Sequence, residues 1–139
     1  MDNYSELKTQ LLAACPELEL RELEPMRRHT SFRIGGPVPL MALPKTKAEA
    51  SIAVEVAERL TISPFYLGKG SNLLVSDEGM DGFVIKCCME EIELLSNDTV
   101  WIGSGASLAQ GALFAMEHGL SGMEFAHGIP GSLGGAVFM

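Results

Sequence analysis

The residues best suited to chemistry form a glycine loop in the middle of the chain, Gly68-Lys69-Gly70-Ser71-Asn72. An apolar run at 64–67 precedes the loop and another at 73–75 follows it, and both have strand character. Glycines at alternate positions let the backbone turn sharply with successive N–H groups facing one way, a nest that binds anions such as phosphate. Ser71 and Asn72 add a hydroxyl and an amide as donors. Taken alone, the loop is compatible both with phosphate binding and with a plain tight hairpin.

The loop lacks the signatures of the common nucleotide-binding motifs. It has no Gly-Lys-Ser/Thr ending of a P-loop and no three-glycine pattern running into a helix. Because we expect a strand after the loop, at 73–75, we do not predict that a helix dipole contributes to anion binding. Any anion would therefore be held by local backbone dipoles and by the two polar side chains.

A second glycine-rich segment, 128–136, contains four glycines and a proline in nine residues. Such a composition is entropically costly unless something must approach the backbone closely. Two interpretations remain open. The segment is either a tightly packed turn between two lobes, or a wall against which a flat aromatic ring system lies. The spacing does not choose between them.

The remaining polar residues carry weaker signals. The turn 29–33 mixes hydroxyls, a cation and an aromatic ring, and alone it is interpreted as a solvated loop. Glu90-Glu91 is interpreted as a solvated turn, and Glu124 as the acceptor of a local hydrogen bond. His127 could contact a ligand, but an imidazole that packs or faces solvent is far more common, so it receives no catalytic role.

Composition limits the classes of function. The 139 residues carry a net charge of −8, which argues against general affinity for nucleic acid or an anionic membrane surface. Three cysteines, two of them adjacent at Cys87-Cys88, indicate reduced thiols rather than a disulfide framework or a metal site. No apolar run approaches the roughly 20 residues that cross a bilayer. We therefore expect a cytoplasmic protein without a membrane partner.

Hydrophobic periodicity predicts the elements that must position the two glycine segments. Leu7, Leu11 and Leu12 indicate a helix at 4–14, and Thr46 with Glu49 indicates the capping box of a second helix. The other patterns predict strands at 18–24, 38–43, 64–67, 73–75 and 82–86, a hairpin of 92–95 with 99–102, and a helix from Ser107 through His118 that stops at Gly119.

Three segments in this order resemble one family. They are His29-Thr-Ser-Phe-Arg-Ile-Gly-Gly-Pro37, Leu67-Gly-Lys-Gly-Ser-Asn-Leu-Leu-Val75 and the stretch from Leu120 to Met139, which includes Phe-Ala-His-Gly-Ile-Pro-Gly-Ser-Leu-Gly-Gly-Ala. The chain is similar over residues 25–139 to the N-terminal part of the UDP-N-acetylenolpyruvoylglucosamine reductases (MurB family), flavoenzymes of bacterial cell-wall synthesis.

The resemblance implies an α+β fold, the FAD-binding fold of the vanillyl-alcohol-oxidase (PCMH) type, in which two lobes grip the cofactor. It implies that the glycine loop cradles the FAD pyrophosphate and that the segment from Gly128 to Val137 runs along the flavin. Thr30 and Arg33 are candidates for lining the cofactor or substrate cleft. The implied cofactor-binding residues are Gly68, Lys69, Gly70, Ser71, Asn72, Gly128, Ile129, Pro130, Gly131, Ser132, Gly134, Gly135, Ala136 and Val137.

The family's chemistry has two halves, so the resemblance also implies a reductant and a substrate. NADPH reduces the flavin, and reduced FAD passes hydride to UDP-N-acetylglucosamine enolpyruvate, a nucleotide sugar, to give UDP-N-acetylmuramate. The cofactor supplies the redox chemistry while the protein orients and polarises. The product serves peptidoglycan synthesis and hence cell-wall biogenesis, cell shape and cell division.

The chain departs from the family pattern at its end. Family members continue past Met139 through the rest of the second lobe and a substrate domain, where the catalytic arginine, glutamate and serine lie. We therefore assign no catalytic residue here and expect this fragment alone to be inactive. The expected organisation is an N-terminal helix and strand at 1–24, a near-complete first lobe at 25–88 and the truncated start of a second lobe at 89–139, with the substrate domain absent.

Two other functions remain open. One is another flavin-linked oxidoreductase of the same fold, such as an oxidase of a small alcohol, which a covalent flavin at His127 would favour. The other is a non-catalytic nucleotide-binding remnant. The early Thr30-Ser-Phe-Arg-Ile-Gly-Gly36 segment favours the reductase.

Overall fold

The computed structural model describes residues 3–139, which form helices and strands grouped around two β-sheets. The helices are α1 (Asn3–Ala14), α2 (Lys47–Arg59), α3 (Leu108–Glu117) and the short α4 (Leu133–Phe138). The strands are β1 (Leu20–Pro25), β2 (Pro37–Ala42), β3 (Phe65–Leu67), β4 (Phe83–Lys86), β5 (Ile92–Leu94) and β6 (Val100–Ile102). Single 3-10 turns lie at Met26–Arg28 and Glu124–Ala126.

The larger sheet has the strand order β1-β2-β4-β3. Strand β1 pairs antiparallel with β2, whereas β2 and β3 both run parallel to β4. Helix α2 connects β2 to β3, as a crossover between parallel strands requires. Because Leu67 pairs with Lys86, the carboxyl ends of β3 and β4 lie side by side, and the glycine loop leaves the sheet at this edge.

Both faces of this sheet are buried, and alternate residues of β4 serve the two sides. Phe83 and Ile85 pack in a cluster with Leu7 and Leu11 of α1 and with residues of α2. Val84 points to the opposite cluster, which includes Leu67 and residues from the turns around the glycine loop. This sandwiching fixes the strand ends that carry the loop.

The smaller sheet is the hairpin of β5 and β6, which the alternating pattern at 92–102 predicts. Helix α3 follows it and begins with a reciprocal capping box between Ser107 and Gln110. Its end agrees with the expectation from sequence, because His118 Nδ1 lies 2.8 Å from the carbonyl of Phe114 and Gly119 is left-handed at φ +69°. None of the helices in residues 3–139 is both long and apolar enough to traverse a bilayer.

Two expectations about local structure are wrong. Residues 73–75 form no strand: they pair with neither sheet, and Leu73 and Val75 pack instead in the cluster that contains Met26 and Leu67. The chain there hydrogen-bonds a turn instead, with Gly36 N donating to Ser76 O at 2.8 Å. At α2, Thr46 accepts from Glu49 N, but the Glu49 carboxylate accepts from Lys45 N rather than from Thr46 N, so the capping box is incomplete.

Candidate functional site

The glycine loop is held against the turn that follows β1. Gly70 adopts φ +66°, and a Cβ there would overlap the carbonyl oxygen of His29 and come within 2.9 Å of the Thr30 Cα. Ser31 N donates to the carbonyl of Gly70 at 3.0 Å. Only glycine permits both this conformation and this approach, so the sequence pattern at 68–70 has a direct geometric cause.

The loop also presents donors that the protein itself does not use. Within residues 3–139, no backbone N–H of residues 68–72 has a protein acceptor, although Gly70 is buried. The side chains of Ser71 and Asn72 likewise make no hydrogen bond to another described residue. Five successive free N–H groups beside a hydroxyl and an amide are the donor set of an anion nest.

The second glycine-rich segment meets this loop directly. A Cβ on Gly68 would overlap Ser132 Oγ, and a Cβ on Gly131 would lie 3.0 Å from Ser71 Oγ. The segment is anchored by Leu108 N, which donates to Gly131 O at 3.1 Å, and by Ser132, whose hydroxyl accepts from Gly135 N to cap α4. The two segments, about 60 residues apart in sequence, are thus brought into contact.

Between the two segments lies a cavity of about 350 Å³, here called the glycine cleft. Its walls are formed by β3, the loop, the 129–136 segment and the end of the chain. Of the sequence-predicted site residues, it is lined by Gly68, Lys69, Gly70, Ser71, Asn72, Ile129, Pro130, Gly131, Ser132, Gly135 and Ala136.

Three of the predicted site residues do not line the glycine cleft. Gly134 packs against Ser104, where a Cβ would lie 2.9 Å from that side chain's own Cβ. Gly128 faces open space, and Val137 is 80% exposed. Gly134 and Val137 lie three residues apart in α4 and so share a helix face that does not line the cleft, whereas Gly128 precedes this helix.

A second cavity of about 520 Å³, the polar cleft, lies on the other side of the loop and shares Gly68 and Lys69 with the first. Thr30 and Arg33, candidates by resemblance, line this cleft and not the glycine cleft. Its remaining walls include Arg28, His29, Ser31, Lys86, Cys87, Cys88, Glu90 and Gly105. Basic side chains therefore converge here in a chain whose net charge is negative.

The interpretation of 29–33 as a solvated loop is wrong at its first two residues, because His29 and Thr30 are both buried. His29 Nε2 lies 2.8 Å from Glu24 Oε1 and its Nδ1 lies 2.8 Å from Lys86 Nζ. Burial lowers the pKa of His29, and the hydrogen bond to Glu24 opposes that effect without overcoming it. Burial also lowers the pKa of Lys86. No periodicity pointed to this trio, since its members lie on β1, on a turn and on β4.

The other candidate residues have local roles. Glu90 is exposed, as expected of a solvated turn, and its carboxylate also pairs with Lys69 at 3.3 Å beside the polar cleft. Glu124 accepts from Gly122 N at 2.9 Å, as expected. Burial raises the pKa of the Cys88 thiol, which keeps it protonated and poorly nucleophilic. His127 is exposed and lines a separate cavity beside α3.

Comparison with known proteins identifies the kind of domain that carries these clefts. A family model described as FAD binding domain matches residues 38–139, which include the larger sheet from β2 onward and both glycine segments. The chain belongs to the FAD binding domain family. Within this family, the reductase of Syntrophomonas wolfei subsp. wolfei, named UDP-N-acetylenolpyruvoylglucosamine reductase, is 44% identical over 126 residues, covering 89% of this chain and 42% of that protein.

Solved structures agree with this assignment. The UDP-N-acetylenolpyruvylglucosamine reductase (MurB) of Thermus caldophilus superposes with a TM-score of 0.66 at 33% identity, over 87% of this chain and 41% of that one. A glucooligosaccharide oxidase from Acremonium strictum superposes with a TM-score of 0.60 at 18% identity, over 81% and 25% of the two chains, which shows the fold alone. The chain therefore has the expected α+β fold of the vanillyl-alcohol-oxidase type, and its resemblance to the reductases is confirmed.

The relatives are longer than this chain, which spans about two fifths of the reductases it matches. The family model's match, residues 38–139, contains both glycine segments.

Proposed function

We propose that the chain holds FAD, with the pyrophosphate on Gly68–Asn72 and on the backbone of Gly131 and Ser132. The observation that supports this most strongly is the contact between the two glycine segments, which leaves the free N–H groups of 68–72 beside those of Gly131 and Ser132. A dianionic pyrophosphate needs several donors from more than one direction, and backbone N–H groups supply them without bulk. On this proposal residues 25–88 and 89–139 are the two lobes of the clamp.

The rest of the glycine cleft suits a flat ring system. Its exposed lining is mainly apolar and includes Phe65, Tyr66, Ile129 and Pro130. Ring-binding pockets are typically apolar, with few polar groups that fix orientation. When bound, FAD would supply hydride transfer, while this chain would orient the cofactor and exclude water from one of its faces.

We further propose that the chain serves a reductase of UDP-N-acetylglucosamine enolpyruvate that uses NADPH and yields UDP-N-acetylmuramate for peptidoglycan synthesis in the cytoplasm. The similarity to named reductases at up to 44% identity supports this reaction. The side chains that line the glycine cleft include no carboxylate, imidazole or thiol, and Tyr66 and Lys69 are the titratable side chains among them. Their part in the reaction is to hold the cofactor, and we expect residues 1–139 alone to be inactive.

A covalent-flavin oxidase is the weaker alternative. The glucooligosaccharide oxidase that shares the fold is described as carrying a 6-S-cysteinyl, 8α-N1-histidyl FAD. In this chain the histidine considered for such a bond, His127, lines the cavity beside α3 and not the glycine cleft. This placement favours a noncovalent cofactor.

An FAD titration of the chain, followed by flavin fluorescence, tests the proposed site with an isosteric pair of variants. Asn72→Asp puts a carboxylate in place of an amide donor within the nest, whereas Asn97→Asp makes the same change in the exposed hairpin turn. A lost hydrogen bond to a charged group, about 1.5–3 kcal/mol, weakens binding roughly 10- to 150-fold. We expect that loss in Asn72→Asp and unchanged affinity in Asn97→Asp. Equal affinities in the two variants would contradict the site.

The proposed reaction is tested separately by NADPH consumption. We expect the FAD-saturated chain alone to consume no NADPH in response to UDP-N-acetylglucosamine enolpyruvate. We expect turnover when the chain is fused to the remaining part of the Syntrophomonas wolfei reductase. Substrate-dependent turnover by residues 1–139 alone would contradict the proposal that this part only holds the cofactor. An inactive fusion that still binds FAD would contradict the assigned reaction.

A further inference from the structure

A chain of buried and half-buried polar side chains runs behind the glycine loop. Glu24 and His29 have side chains only 7% and 5% exposed, and their carboxylate and imidazole are joined by a 2.8 Å hydrogen bond. The other ring nitrogen of His29 lies 2.8 Å from the ammonium of Lys86, which is 57 residues away in sequence. The trio connects the end of β1, the turn after it and the end of β4.

Glu24 and Lys86 determine the protonation state and tautomer of His29, which lies between them. A lysine ammonium has donors and no acceptor, so His29 Nδ1 must accept from Lys86 and carries no proton. Nε2 therefore carries the ring proton and donates it to Glu24. The arrangement requires a neutral His29 in the Nε2–H tautomer, because a proton on Nδ1 would face the ammonium.

The trio is mechanically connected to the proposed FAD site. The backbone of His29 fills the space beside Gly70, and Ser31 N donates to the Gly70 carbonyl. Lys86 pairs with Leu67, the residue just before the loop, and its side chain lines the polar cleft together with Gly68 and Lys69. A displacement of His29 would therefore move both the support of the loop and the ammonium beside it.

We propose that neutral His29 is a positioning residue that orients the Lys86 ammonium and braces the glycine loop, so that its protonation weakens FAD binding. This inference rests on the proposed FAD site and adds a proton-dependent control of it. His29 would touch neither cofactor nor substrate and would act only through Lys86 and the 29–31 backbone.

The surrounding charges set the direction of the pH effect. Glu24 favours protonation of His29, while Lys86 and Arg21 oppose it, and burial opposes it most strongly. The pKa of His29 therefore lies below its ordinary 6.5, and the ring is neutral at pH 7. Further charged or titratable groups face the trio or line the cleft beside it, namely Arg28, Arg33, Lys69, Cys87, Cys88 and Glu90.

The first experiment measures FAD affinity from pH 8 to pH 5 for the unmodified chain, His29→Gln and the matched control His127→Gln, which changes an exposed histidine. Glutamine offers an amide NH2 group as donor and a carbonyl oxygen as acceptor but does not titrate in this range. The affinity of the unmodified chain and the control should fall on acidification, by at most tenfold per pH unit for one proton. In His29→Gln, the FAD affinity should no longer show this fall on acidification. An unchanged profile in His29→Gln would overturn the proposal.

Two further measurements keep the inference independent of FAD binding and of the variant's folding. Urea unfolding of the cofactor-free chain should show an unfolding constant that rises as pH falls below 6.5, because the unfolded state then binds the extra proton, and His29→Gln should lose this rise. If FAD fails to bind at any pH, the proposed function fails while this result still tests the trio. Nitrogen-15 NMR of the unmodified chain should show the Nε2–H tautomer at pH 7, and a protonated or Nδ1–H ring would overturn the proposal.

Discussion

Replacing Gly70 by alanine tests whether close backbone approach shapes the glycine loop, and Gly119→Ala provides a matched control. Both glycines are left-handed, with φ of +66° and +69°. A Cβ on Gly119 would meet no atom within 4 Å, whereas a Cβ on Gly70 would overlap the His29 carbonyl. The two variants therefore separate the stability lost to a left-handed alanine from the stability lost to steric overlap with the His29 carbonyl.

The two costs can be estimated from these contacts. A left-handed alanine costs about 1–2 kcal/mol, and the stiffer unfolded chain offsets about 0.4–1 kcal/mol of that, so Gly119→Ala should destabilise by roughly 1 kcal/mol. At Gly70 the obstructing atoms belong to the backbone and cannot rotate away. Overpacking of this kind adds about 1–3 kcal/mol, for a total loss of roughly 2–4 kcal/mol.

Urea unfolding followed by circular dichroism measures both losses, and an FAD titration of the same samples measures the consequence for binding. We expect Gly70→Ala to lose about 1–3 kcal/mol more stability than Gly119→Ala and to bind FAD far more weakly. Equal losses of stability, or normal FAD affinity in a folded Gly70→Ala chain, would refute the argument that this contact sets the loop.

Three further predictions concern stability. Phe83→Ala should lower the free energy of unfolding by about 3–5 kcal/mol, because the ring is fully buried. Phe138→Ala changes a ring that is 90% exposed and should alter the free energy of unfolding by less than about 0.5 kcal/mol, and urea unfolding compares the two variants. Ser104→Ala should raise the unfolding free energy by about 1 kcal/mol, because the Ser104 hydroxyl is buried without a partner among the described residues, and a loss of stability would indicate a hidden partner. Burial raises the pKa of Glu24, but hydrogen bonds from His29 and Arg21 outweigh this effect and hold the pKa below 4.5. The ionised carboxylate therefore stabilises the fold fully above pH 4.5, and this stabilisation is lost as the pH falls below that value. In Glu24→Gln, the free energy of unfolding should fall less steeply on acidification.

Much of the fold could be predicted from sequence because local patterns determine it. The helix at α1, the hairpin of β5 and β6 and the capped helix α3 each follow from periodicity and from end residues that act within one turn. The segment 73–75 shows the limit of such reasoning. Its apolar residues are attracted to the core, and Val75 is buried, but whether they pair depends on a sheet edge that local sequence does not reveal.

The candidate site was predictable where a residue type has a single geometric use. Gly70 is required by a close backbone contact, and Gly68 closely approaches the Ser132 side chain, so their pattern was informative. The trio of Glu24, His29 and Lys86 was not predictable, because its members are brought together by the pairing of β1, β2 and β4. The sequence also did not indicate helix α4, which places Gly134 and Val137 outside the lining of the glycine cleft.

The central claim, that FAD binds where the two glycine segments meet, is tested most directly by amide chemical shifts of the nitrogen-15-labelled chain during an FAD titration. The account predicts that the largest shifts fall on residues 68–72 and on Gly131 and Ser132, whose N–H groups lack protein acceptors among the described residues. Shifts concentrated instead around the cavity beside α3, lined by Met116 and His127, would contradict it.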